Sequence, residues 1–504
     1  MIDLTPEQAA PRIATLLAAH ESRTLEFKRM GENKVVRKLL EAICAFANTE
    51  GGVLALGVAD EKQGKGAARL YGTQENPEAL DELARKVRTQ YNPAIDTIRF
   101  LSLPCTLRDG STGNVVLVQV PQSDKVHSII DDGTWTRLTS GNREMTAAEI
   151  ADLSYRRGVR SAESEPVPVD WTLLDTPVWA EFAATRGFSR TRPLPEQMAQ
   201  LGLAEKVAGE WAPRRAAVLL FAEEPGGLLA AQGTRAEIRL VVYQGKAAEA
   251  GAKPNMKKPP RTLRGPLIRL IDETVRVLLD ELSTGVELAT SGFKAHHRYP
   301  ERVVKEAIVN AVIHRDYRLN RDILVRIFDD RLEVENPGVF PGIITAATIA
   351  KAGSKARNPL IAKTLRDFPV PPNFDLNEGV PMMFSEMAGA RLYPPQYRQN
   401  TELITESVTV TLLNQERPTV WDEVSDWIDR NGALANVDLC RISGVDTLKS
   451  SKMLKAWVEQ GVLVQLTGRA KRNSAYVKPA EPPAQGDLLS DALDNKLQNI
   501  EKTR

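Results

Sequence analysis

The chain has 504 residues, of which 42% are hydrophobic and 26% are charged. This composition excludes a mostly disordered chain and a small disulfide-dense protein. Its 66 Lys and Arg residues nearly balance its 65 Asp and Glu residues, for a formal net charge of +1. A histone-like, globally basic binder is therefore excluded, and any nucleic-acid surface has to come from local clusters. At about 100–200 residues per domain, the length predicts three or four domains.

Cysteine usage and hydropathy bear on the compartment. The three cysteines, Cys44, Cys105 and Cys440, lie far apart, so they predict neither a zinc motif nor a disulfide framework and fit a reducing cytoplasm. The first residues lack the basic region of a signal peptide. No apolar stretch approaches the ~20 residues of a membrane helix. We therefore expect a cytoplasmic protein without a membrane segment.

Residues 1–158 predict one α/β domain. The pattern indicates an opening helix, a second helix that ends at a Gly-Gly turn, a buried strand directly after that turn, and a third helix followed by two longer strands. The predicted elements are the strands Thr24–Lys28, Val53–Asp60, Thr97–Leu103, Asn114–Val120 and Thr134–Leu138, and the helices Lys34–Asn48 and Glu78–Arg88, with a last helix starting near Thr146.

Residues 159–290 predict a linker and a middle α/β region. The polar, proline-containing stretch 159–178 is typical of a linker. Buried strands are predicted at Ala216–Phe221 and Ala236–Tyr243, and an amphipathic helix at Pro266–Leu282. The loop 252–265 carries five basic residues and no acid. Two interpretations of it remain open, a solvated loop and a phosphate-contacting loop.

The rest of the chain predicts two further domains and a tail. Residues 291–412 start with a strong helix and continue with a hairpin turning at Asp329-Asp330, a loop-rich stretch and a final strand. Residues 413–480 predict three helices and two short strands around Gly468, and residues 481–504 a flexible tail. The predicted elements are the helices Pro300–His314, Thr419–Asp429, Asn436–Ile442 and Thr447–Gln460, and the strands Ile323–Phe328, Arg331–Glu335 and Val408–Leu413.

Acidic residues gather in the first domain. Glu26 and Lys28 are two apart on a strand and share a face, and Asp60 follows a neighbouring buried strand. Carboxylates at strand ends beside a lysine can hold Mg²⁺ or Mn²⁺ and stabilise phosphodiester cleavage.

In combination, the strings Glu21–Lys28, Ala45–Gly52, Gly57–Asp60 and Arg137–Arg143 resemble the Schlafen core, an AlbA-like domain, over roughly residues 14–155. The resemblance implies nucleic-acid binding. It also implies a Mg²⁺ or Mn²⁺ site made of Glu21, Glu26 and Asp60, with Lys28 as the adjacent catalytic residue. The alternative is that these charges orient the domain or bind nucleic acid without cutting.

A second constellation lies on the helix that starts residues 291–412. Glu306, Asn310 and His314 follow one another at i, i+4 and i+8, so they form one polar stripe beside an apolar face. A carboxylate to orient water and an amide oxygen to hold Mg²⁺ suit Mg-ATP. The stretch resembles the GHKL-type ATP-binding domain of gyrase, histidine kinases and MutL.

That resemblance implies ATP with Mg²⁺ as cofactor, bound by Glu306, Asn310, Asn336, Gly338 and Gly379. Two departures weaken it. Asn336 stands where the superfamily has an Asp, so its hydrogen bond to adenine would lack charge assistance. Pro381 in the glycine loop offers no N–H to a phosphate. We therefore predict nucleotide binding without efficient hydrolysis; the alternative is a domain kept for its fold or for dimer contacts.

The third constellation resembles a winged helix. From Asp446 to Lys478 there are seven Lys and Arg and two Asp and Glu residues. The recognition helix would present its basic residues to the major groove of DNA, and the wing would contact the backbone; protein interaction is the alternative. The predicted nucleic-acid contacts are Lys449, Lys452 and Lys455 on the helix and Arg469, Lys471 and Arg472 at the wing.

Together these patterns predict an α+β multidomain protein with an AlbA-like α/β domain, an ATPase-like α/β sandwich and a C-terminal winged helix. The favoured function is nucleic-acid binding, with DNA ahead of RNA, in regulation or phage defence and with ATP as effector. One alternative is a metal-dependent endonuclease acting on RNA or DNA, and another is a non-catalytic subunit of a defence assembly. We expect a homo-oligomer or a larger complex.

Overall fold

The computed structural model describes residues 1–479 except 33, 140, 189–190, 250–253, 290–291, 352–355, 373–378, 402–404 and 467–473, and for 286–297 it describes the backbone alone. These residues fall into two compact units, one ending at Arg160 and the other starting at Ser161. The fold is α+β, as predicted. Within the described ranges, no helix combines the length and the apolar character needed to cross a membrane.

The first unit is built on a five-stranded sheet with the order β1-β5-β6-β3-β2, in which β2 is parallel to β3 and β6 is antiparallel to both β3 and β5. Its strands are β1 (Ile2–Asp3), β2 (Leu25–Lys28), β3 (Gly52–Leu56), β4 (Tyr91–Asn92), β5 (Arg99–Thr106), β6 (Thr112–Val120), β7 (Ser128–Ile129), β8 (Trp135–Arg137) and β9 (Asn142–Glu144). Its helices are α1 (Pro6–Ala18), α2 (Val35–Asn48), α3 (Pro77–Lys86) and α4 (Ala147–Arg156).

Helices cover both faces of this sheet. Along β3, Leu54 and Leu56 belong to the core under α2, whereas Val53 and Ala55 belong to the core under α1. A strand buried on both faces needs apolar residues at every position, which explains the uninterrupted apolar run in the sequence. Because β2 and β3 are parallel, their carboxyl ends meet at one edge of the sheet, where the Gly57 N–H donates to the Lys28 carbonyl at 2.8 Å.

The second unit is built on a six-stranded sheet with the order β13-β12-β16-β17-β19-β18. Its helices are α5 (Pro177–Thr185), α6 (Leu194–Gln200), α7 (Arg215–Phe221), α8 (Pro225–Leu228), α9 (Leu267–Leu282), α10 (Glu301–His314), α11 (Pro359–Arg366), α12 (Gly379–Gly389), α13 (Trp421–Asn431), α14 (Asn436–Ser443) and α15 (Thr447–Glu459). Its strands are β10 (Ala204–Val207), β11 (Glu210–Pro213), β12 (Ile238–Val242), β13 (Arg261–Leu263), β14 (Ser283–Ala289), β15 (Gly292–His297), β16 (Ile323–Ile327), β17 (Arg331–Pro337), β18 (Gln396–Asn400), β19 (Ser407–Leu413), β20 (Leu434–Ala435), β21 (Val464–Gln465) and β22 (Ala475–Val477).

This sheet joins residues on both sides of the border predicted at 290/291. Strand β12 pairs in parallel with β16 over its whole length, from Ile238 opposite Ile323 to Val242 opposite Ile327. Buried residues of α9 and α10 lie in the same hydrophobic core. Residues of the predicted middle region and of the predicted ATPase-like domain therefore share one sheet and one core.

Two predictions of local structure in this unit are wrong. The strand predicted at Ala216–Phe221 is helix α7, all seven residues of which are buried. A fully buried segment is apolar all round, so its sequence carries no periodicity that separates helix from strand. The stretch predicted as loop-rich between the hairpin and the final strand contains α11, α12 and β18.

The segment predicted as a linker, residues 159–178, is partly built into this unit. Glu163 is fully buried, and its carboxylate accepts the backbone N–H groups of Leu360 at 2.7 Å and Ile361 at 2.8 Å at the start of α11. A carboxylate at a helix N-terminus satisfies donors that have no partner inside the helix. Burial raises the pKa of Glu163 to about 7, against the effect of these two N–H donors.

The C-terminal part of the unit consists of α13, α14 and α15 with the small sheet β20-β22-β21. Its core contains Trp421 and Trp457, whose rings meet edge to face with centroids 5.2 Å apart. The Trp457 Nε1–H donates to the Tyr393 hydroxyl at 2.9 Å. This bond anchors α15 to the segment that precedes β18.

Candidate functional site

Glu26 of β2 lies at the centre of the acidic constellation, and its carboxylate is already neutralised. Its Oε1 lies 3.0 Å from Lys28 Nζ, and its Oε2 forms an ion pair with Arg137 and accepts the Asn142 amide at 3.3 Å. Glu26 is 3% exposed and Arg137 is 1% exposed. The Arg137 guanidinium also donates to the Ser22 carbonyl at 2.8 Å. Two cations therefore hold the carboxylate that the metal hypothesis needs free.

Glu21 and Asp60 lie close enough to Glu26 for these charges to act on one another. Each of the two carboxylates accepts a nearby backbone N–H. Glu21 Oε1 accepts the Phe27 N–H at 3.0 Å, and Asp60 Oδ1 accepts the Lys62 N–H at 3.0 Å. Burial raises the pKa of Glu21, the Phe27 N–H opposes this shift, and the charges of Asp60 and Glu26 add to it. Burial lowers the pKa of Lys28, but the hydrogen bond to Glu26 and the charges of Glu26, Glu32 and Glu21 together raise it.

The predicted metal site of Glu21, Glu26 and Asp60 does not assemble in this structure. In the part of the chain that the structure describes, no three or more His, Cys, Asp or Glu side chains are grouped so that they could hold a metal ion. The physical reason is the Arg137 guanidinium, which occupies the Glu26 oxygen that a cation would need. The residues present therefore do not fit Mg²⁺ or Mn²⁺ here.

Sequence reasoning assigned no role to Arg137 or Asn142, which complete this cluster. Both belong to the string 137–143, one of the strings that resemble the Schlafen core, so the sequence indicated that this segment matters but not what it contacts. Spacing could not predict the contact, because Arg137 and Glu26 are 111 positions apart.

The polar stripe of α10 lies on a helix that packs against the six-stranded sheet of the second unit. The helix buries its apolar residues in the core, which leaves Glu306, Asn310 and His314 partly buried on one side. Burial raises the pKa of Glu306. Proximity of the Asn310 amide opposes the shift, as do the charges of Arg302 and Lys305.

On the polar stripe of α10 and on Asn336, three buried polar atoms lack a hydrogen-bond partner among the described residues: Asn310 Nδ2, His314 Nδ1 and Asn336 Oδ1. Asn310 does not reach Glu306 with normal hydrogen-bond geometry, although it lies close enough to affect that pKa. Buried polar groups normally have partners, and an unpaired one costs about 1–3 kcal/mol. Unpaired atoms on two of the predicted nucleotide residues, Asn310 and Asn336, fit a site that a polar ligand completes.

Two glycines predicted to bind nucleotide sit at close approaches. Gly338 has φ +113°, and a Cβ there would lie 3.0 Å from the Asp316 Cβ. Gly379 is the first residue of α12, and a Cβ there would overlap Glu306 Oε1. Helix α12 therefore begins against the Glu306 carboxylate. Pro381 falls in its first turn, where a backbone N–H has no acceptor within the helix.

Asn358 fixes the end of the polar stripe, and sequence reasoning did not identify it. Its Nδ2 donates to the carbonyls of Ile313 and Arg315, each at 2.8 Å, where α10 ends. The neighbouring Arg357 donates to the Val339 carbonyl at 2.6 Å, next to Gly338. Arg357 and Asn358 thus connect the last turn of α10 with the segment around Gly338, which follows β17.

The predicted nucleic-acid contacts of the C-terminal part are partly described. Lys449, Lys452 and Lys455 are all exposed on α15. Arg469, Lys471 and Arg472 lie outside the described residues. The Asn436 amide donates to Ser451 Oγ at 2.8 Å, which holds α14 against α15 on the side of the exposed lysines.

The basic loop 252–265 has a different environment from the lysines of α15. Four of its five basic residues pair with acids of the same unit, and Lys253 lies outside the described residues. The pairs are Lys257–Asp329, Lys258–Glu281, Arg261–Glu273 and Arg264–Glu237, at 2.8, 2.7, 3.5 and 3.5 Å. These ion pairs reduce the charge that a phosphate would meet at this loop.

Comparison with known proteins identifies two parts of the chain. Residues 21–146 match the family model described as Schlafen, AlbA_2. Residues 320–412 match the HATPase_c_4 family, whose description names the C-terminal part of an ATP-dependent DNA helicase recG. The chain contains a Schlafen AlbA_2 domain and a recG-like ATPase domain. The first match includes the whole Glu26 cluster, and the second includes Asn336, Gly338 and Gly379 but begins after α10.

Comparisons over the full length add little. No curated protein matches the sequence. The solved structure of the DIP2311 protein from Corynebacterium diphtheriae is 16% identical, covers 94% of this chain and 99% of its own, and has a TM-score of 0.39. A score of this size does not establish a shared arrangement of the whole chain.

Proposed function

We propose that this Schlafen AlbA_2 protein binds nucleic acid, with duplex DNA ahead of RNA, and acts in regulation or in defence against phage. The Schlafen AlbA_2 domain relates the chain to nucleic acid. The exposed lysines of α15 support a DNA contact. If the C-terminal part is a winged helix, as its sequence suggests, α15 is the helix that would enter the major groove.

The observation that favours binding over cleavage is the state of Glu26. Both of its oxygens are engaged by cations, Lys28 on one side and Arg137 on the other. A hydrolytic metal site needs carboxylates that can bind the ion directly. Recruiting Glu26 would leave the buried Arg137 guanidinium without its partner, which is costly.

The test uses the full chain with labelled duplex DNA, single-stranded DNA and tRNA, each with and without Mn²⁺. We expect binding that weakens as salt rises, and intact probes after incubation. Mn²⁺-dependent cutting that Glu26→Gln abolishes would establish the nuclease instead. Absence of binding to every probe at low salt would favour the third hypothesis, a non-catalytic subunit of an assembly, for which light scattering measures the oligomeric state.

We also propose that the recG-like ATPase domain binds ATP with Mg²⁺ as an effector. The unpaired buried atoms of Asn310 and Asn336 support this proposal. Glu306 and Asn310 would hold the phosphate and metal end, and Asn336 and Gly338 the base. Bound Mg-ATP would supply a phosphoanhydride bond that water can cleave. Steady turnover is not expected, because Pro381 donates no N–H and the partly buried Glu306 carboxylate abuts α12.

Calorimetry with a non-hydrolysable ATP analogue and Mg²⁺ tests this second proposal. We expect binding that Asn310→Ala removes and that Asn320→Ala, an exposed asparagine of the same unit, leaves unchanged. No heat at millimolar analogue would mean that the domain is only a scaffold. Steady hydrolysis abolished by Glu306→Ala would show that the domain is an active ATPase.

A further inference from the structure

Two arginines of the first unit stack on one tyrosine. The Arg29 guanidinium carbon lies 3.9 Å from the centroid of the Tyr71 ring, and that of Arg108 lies 4.5 Å from the same centroid. Both distances are within the range of a cation–π interaction. Arg108 is exposed, while Arg29 and Tyr71 are partly exposed. The ring therefore brings two positive charges together at the surface.

The backbone places this cluster at the carboxyl ends of β2 and β3. Arg29 directly follows β2, and the Tyr71 N–H donates to the Gly57 carbonyl at 2.9 Å, just after β3. The Arg108 N–H donates to the Leu70 carbonyl at 2.9 Å. Three separate segments thus meet at the edge of the sheet that also carries Lys28.

The two arginines of the cluster differ in their ion pairing. Glu75 pairs with Arg29, with 2.7 Å between Arg29 Nε and Glu75 Oε1, and also accepts the Gly31 N–H at 2.9 Å. Arg108 makes no ion pair within 4.0 Å with any described acid, and the neighbouring Asp109 directs its carboxylate to Ser111. Partial burial opposes the effect, but Arg29, the Gly31 N–H and Arg108 together lower the pKa of Glu75. Hydrogen bonds from Ser111 and, to a smaller extent, the charge of Arg108 lower the pKa of Asp109. The hydrogen bond to Glu75 raises the pKa of Arg29, and the charge of Glu32 adds to this shift. Arg108 therefore has acids nearby but no ion pair with them among the described residues.

We propose that the Arg29–Tyr71–Arg108 cluster is a phosphate-contact site for a strand of nucleic acid. A guanidinium presents planar donors that match two phosphate oxygens, and one held on a ring loses less side-chain entropy on binding. Arg108 is the contact available to a phosphate, because it is exposed and makes no ion pair with a described acid, whereas Arg29 is paired with Glu75. This site rests on the proposed nucleic-acid binding and gives it a location in the first unit.

The experiment compares Arg108→Ala with Arg85→Ala in the full chain. Arg85 is exposed on α3 of the same unit, so both variants remove one surface charge. To separate the site from α15, the two variants are also made in a background with Lys449, Lys452 and Lys455 changed to Ala. Affinity for single-stranded DNA, duplex DNA and tRNA is measured by fluorescence anisotropy from low to high salt.

We expect Arg108→Ala to weaken binding about tenfold, the effect of one charge-assisted contact, and to reduce the salt slope by about one phosphate. Tyr71→Leu should weaken binding similarly because the stacking surface is lost, whereas Tyr71→Phe should bind as the wild type does. If the wild type binds but Arg108→Ala and Arg85→Ala behave alike in both backgrounds, this site is refuted. If the wild type binds no probe, the proposed function itself fails. Competition by an acidic peptide as effective as that by nucleic acid would also overturn the assignment.

Discussion

Glu26 and Arg137, residues that are 3% and 1% exposed, form an ion pair between their side chains. Burying two charges costs several kcal/mol in lost hydration, and such a pair persists only when further hydrogen bonds satisfy both groups. Lys28 and Asn142 do so for the carboxylate, and the carbonyls of Ser22 and Leu25 do so for the guanidinium. The pair fixes the position of β2 relative to the β8–β9 hairpin.

Removing one partner of this pair should destabilise the first unit strongly. We expect Arg137→Ala to lower the free energy of unfolding by about 3–5 kcal/mol, because it leaves the Glu26 carboxylate buried with too little compensation. Urea unfolding followed by circular dichroism measures it. Arg143→Ala is the control: Arg143 pairs with Glu149 at the surface, at 2.7 Å, so its loss should cost less than about 1 kcal/mol. Equal effects of the two variants would contradict the structure.

His314 should make the stability of the second unit depend on pH. Burial and the charge of Arg357 lower the pKa of His314 from its ordinary 6.5 to about 4. Between pH 6.5 and 4 the unfolded chain therefore has His314 protonated, whereas the folded chain has it neutral. The free energy of unfolding decreases as pH falls through this range. We expect the free energy of unfolding of the wild type to decrease by about 2–3 kcal/mol over this pH range, relative to that of His314→Gln.

The quantity to measure is the difference in free energy of unfolding between the wild type and His314→Gln, as a function of pH. Glu163, with its pKa raised to about 7, acts in the opposite direction, because its stabilising effect is lost as pH rises from 4.5 to 7; it is present in both proteins and cancels. Six of the seven Trp residues follow Ser161, so their fluorescence reports this unit. A difference that stays constant with pH would show that His314 titrates normally.

The two ends of α12 should respond differently to the same substitution. A Cβ at Gly379 meets Glu306 Oε1, whereas a Cβ at Gly389 meets nothing within 4 Å. We expect Gly379→Ala to cost about 1–3 kcal/mol through overpacking and to weaken binding of an ATP analogue. Gly389→Ala should be neutral or slightly stabilising.

A double mutant identifies the cause of that cost. Adding Glu306→Ala should relieve the clash, so the effects of the two changes on the free energy of unfolding should not add. Additive effects would mean that Gly379 matters for some reason other than the Glu306 carboxylate.

The exposed lysines of α15 should contribute most of the salt dependence of duplex binding. Changing Lys449, Lys452 and Lys455 to Ala should weaken binding to duplex DNA at least tenfold and reduce the salt slope by up to about 2.7, for three phosphates. The matched control changes the exposed Lys206, Lys351 and Lys363 of the same unit. If both triple variants bind equally well, α15 is not the helix that contacts DNA.

The elements of the first unit could be predicted from sequence because their patterns are local. Helix α2 is predicted to within one residue, since an amphipathic run ends at the Gly51-Gly52 turn. Arg137 could not be assigned, because its partner lies in a distant strand and only the fold joins them. The motif placed Glu21, Glu26 and Asp60 near one another but could not show that the Arg137 guanidinium pairs with Glu26.

In the second unit, prediction failed where burial is complete. Helix α7 has no polar face to reveal a period, and α12 is hidden by glycine and proline residues that usually mark loops. The stripe of Glu306, Asn310 and His314 was predictable because it borders an apolar face. The corner at Asn358 was not, since its role depends on two carbonyls that α10 leaves unpaired.

The pairing of β12 with β16 limits where this protein can be divided. A fragment that ends at residue 290 would keep β12 but lose β16, its parallel neighbour across five register pairs. One long side of an apolar strand would then be exposed, and open edges of this kind recruit other chains into shared sheets. Such a fragment should form aggregates during expression, whereas one that begins at Ser161 and runs through β22 should stay monodisperse.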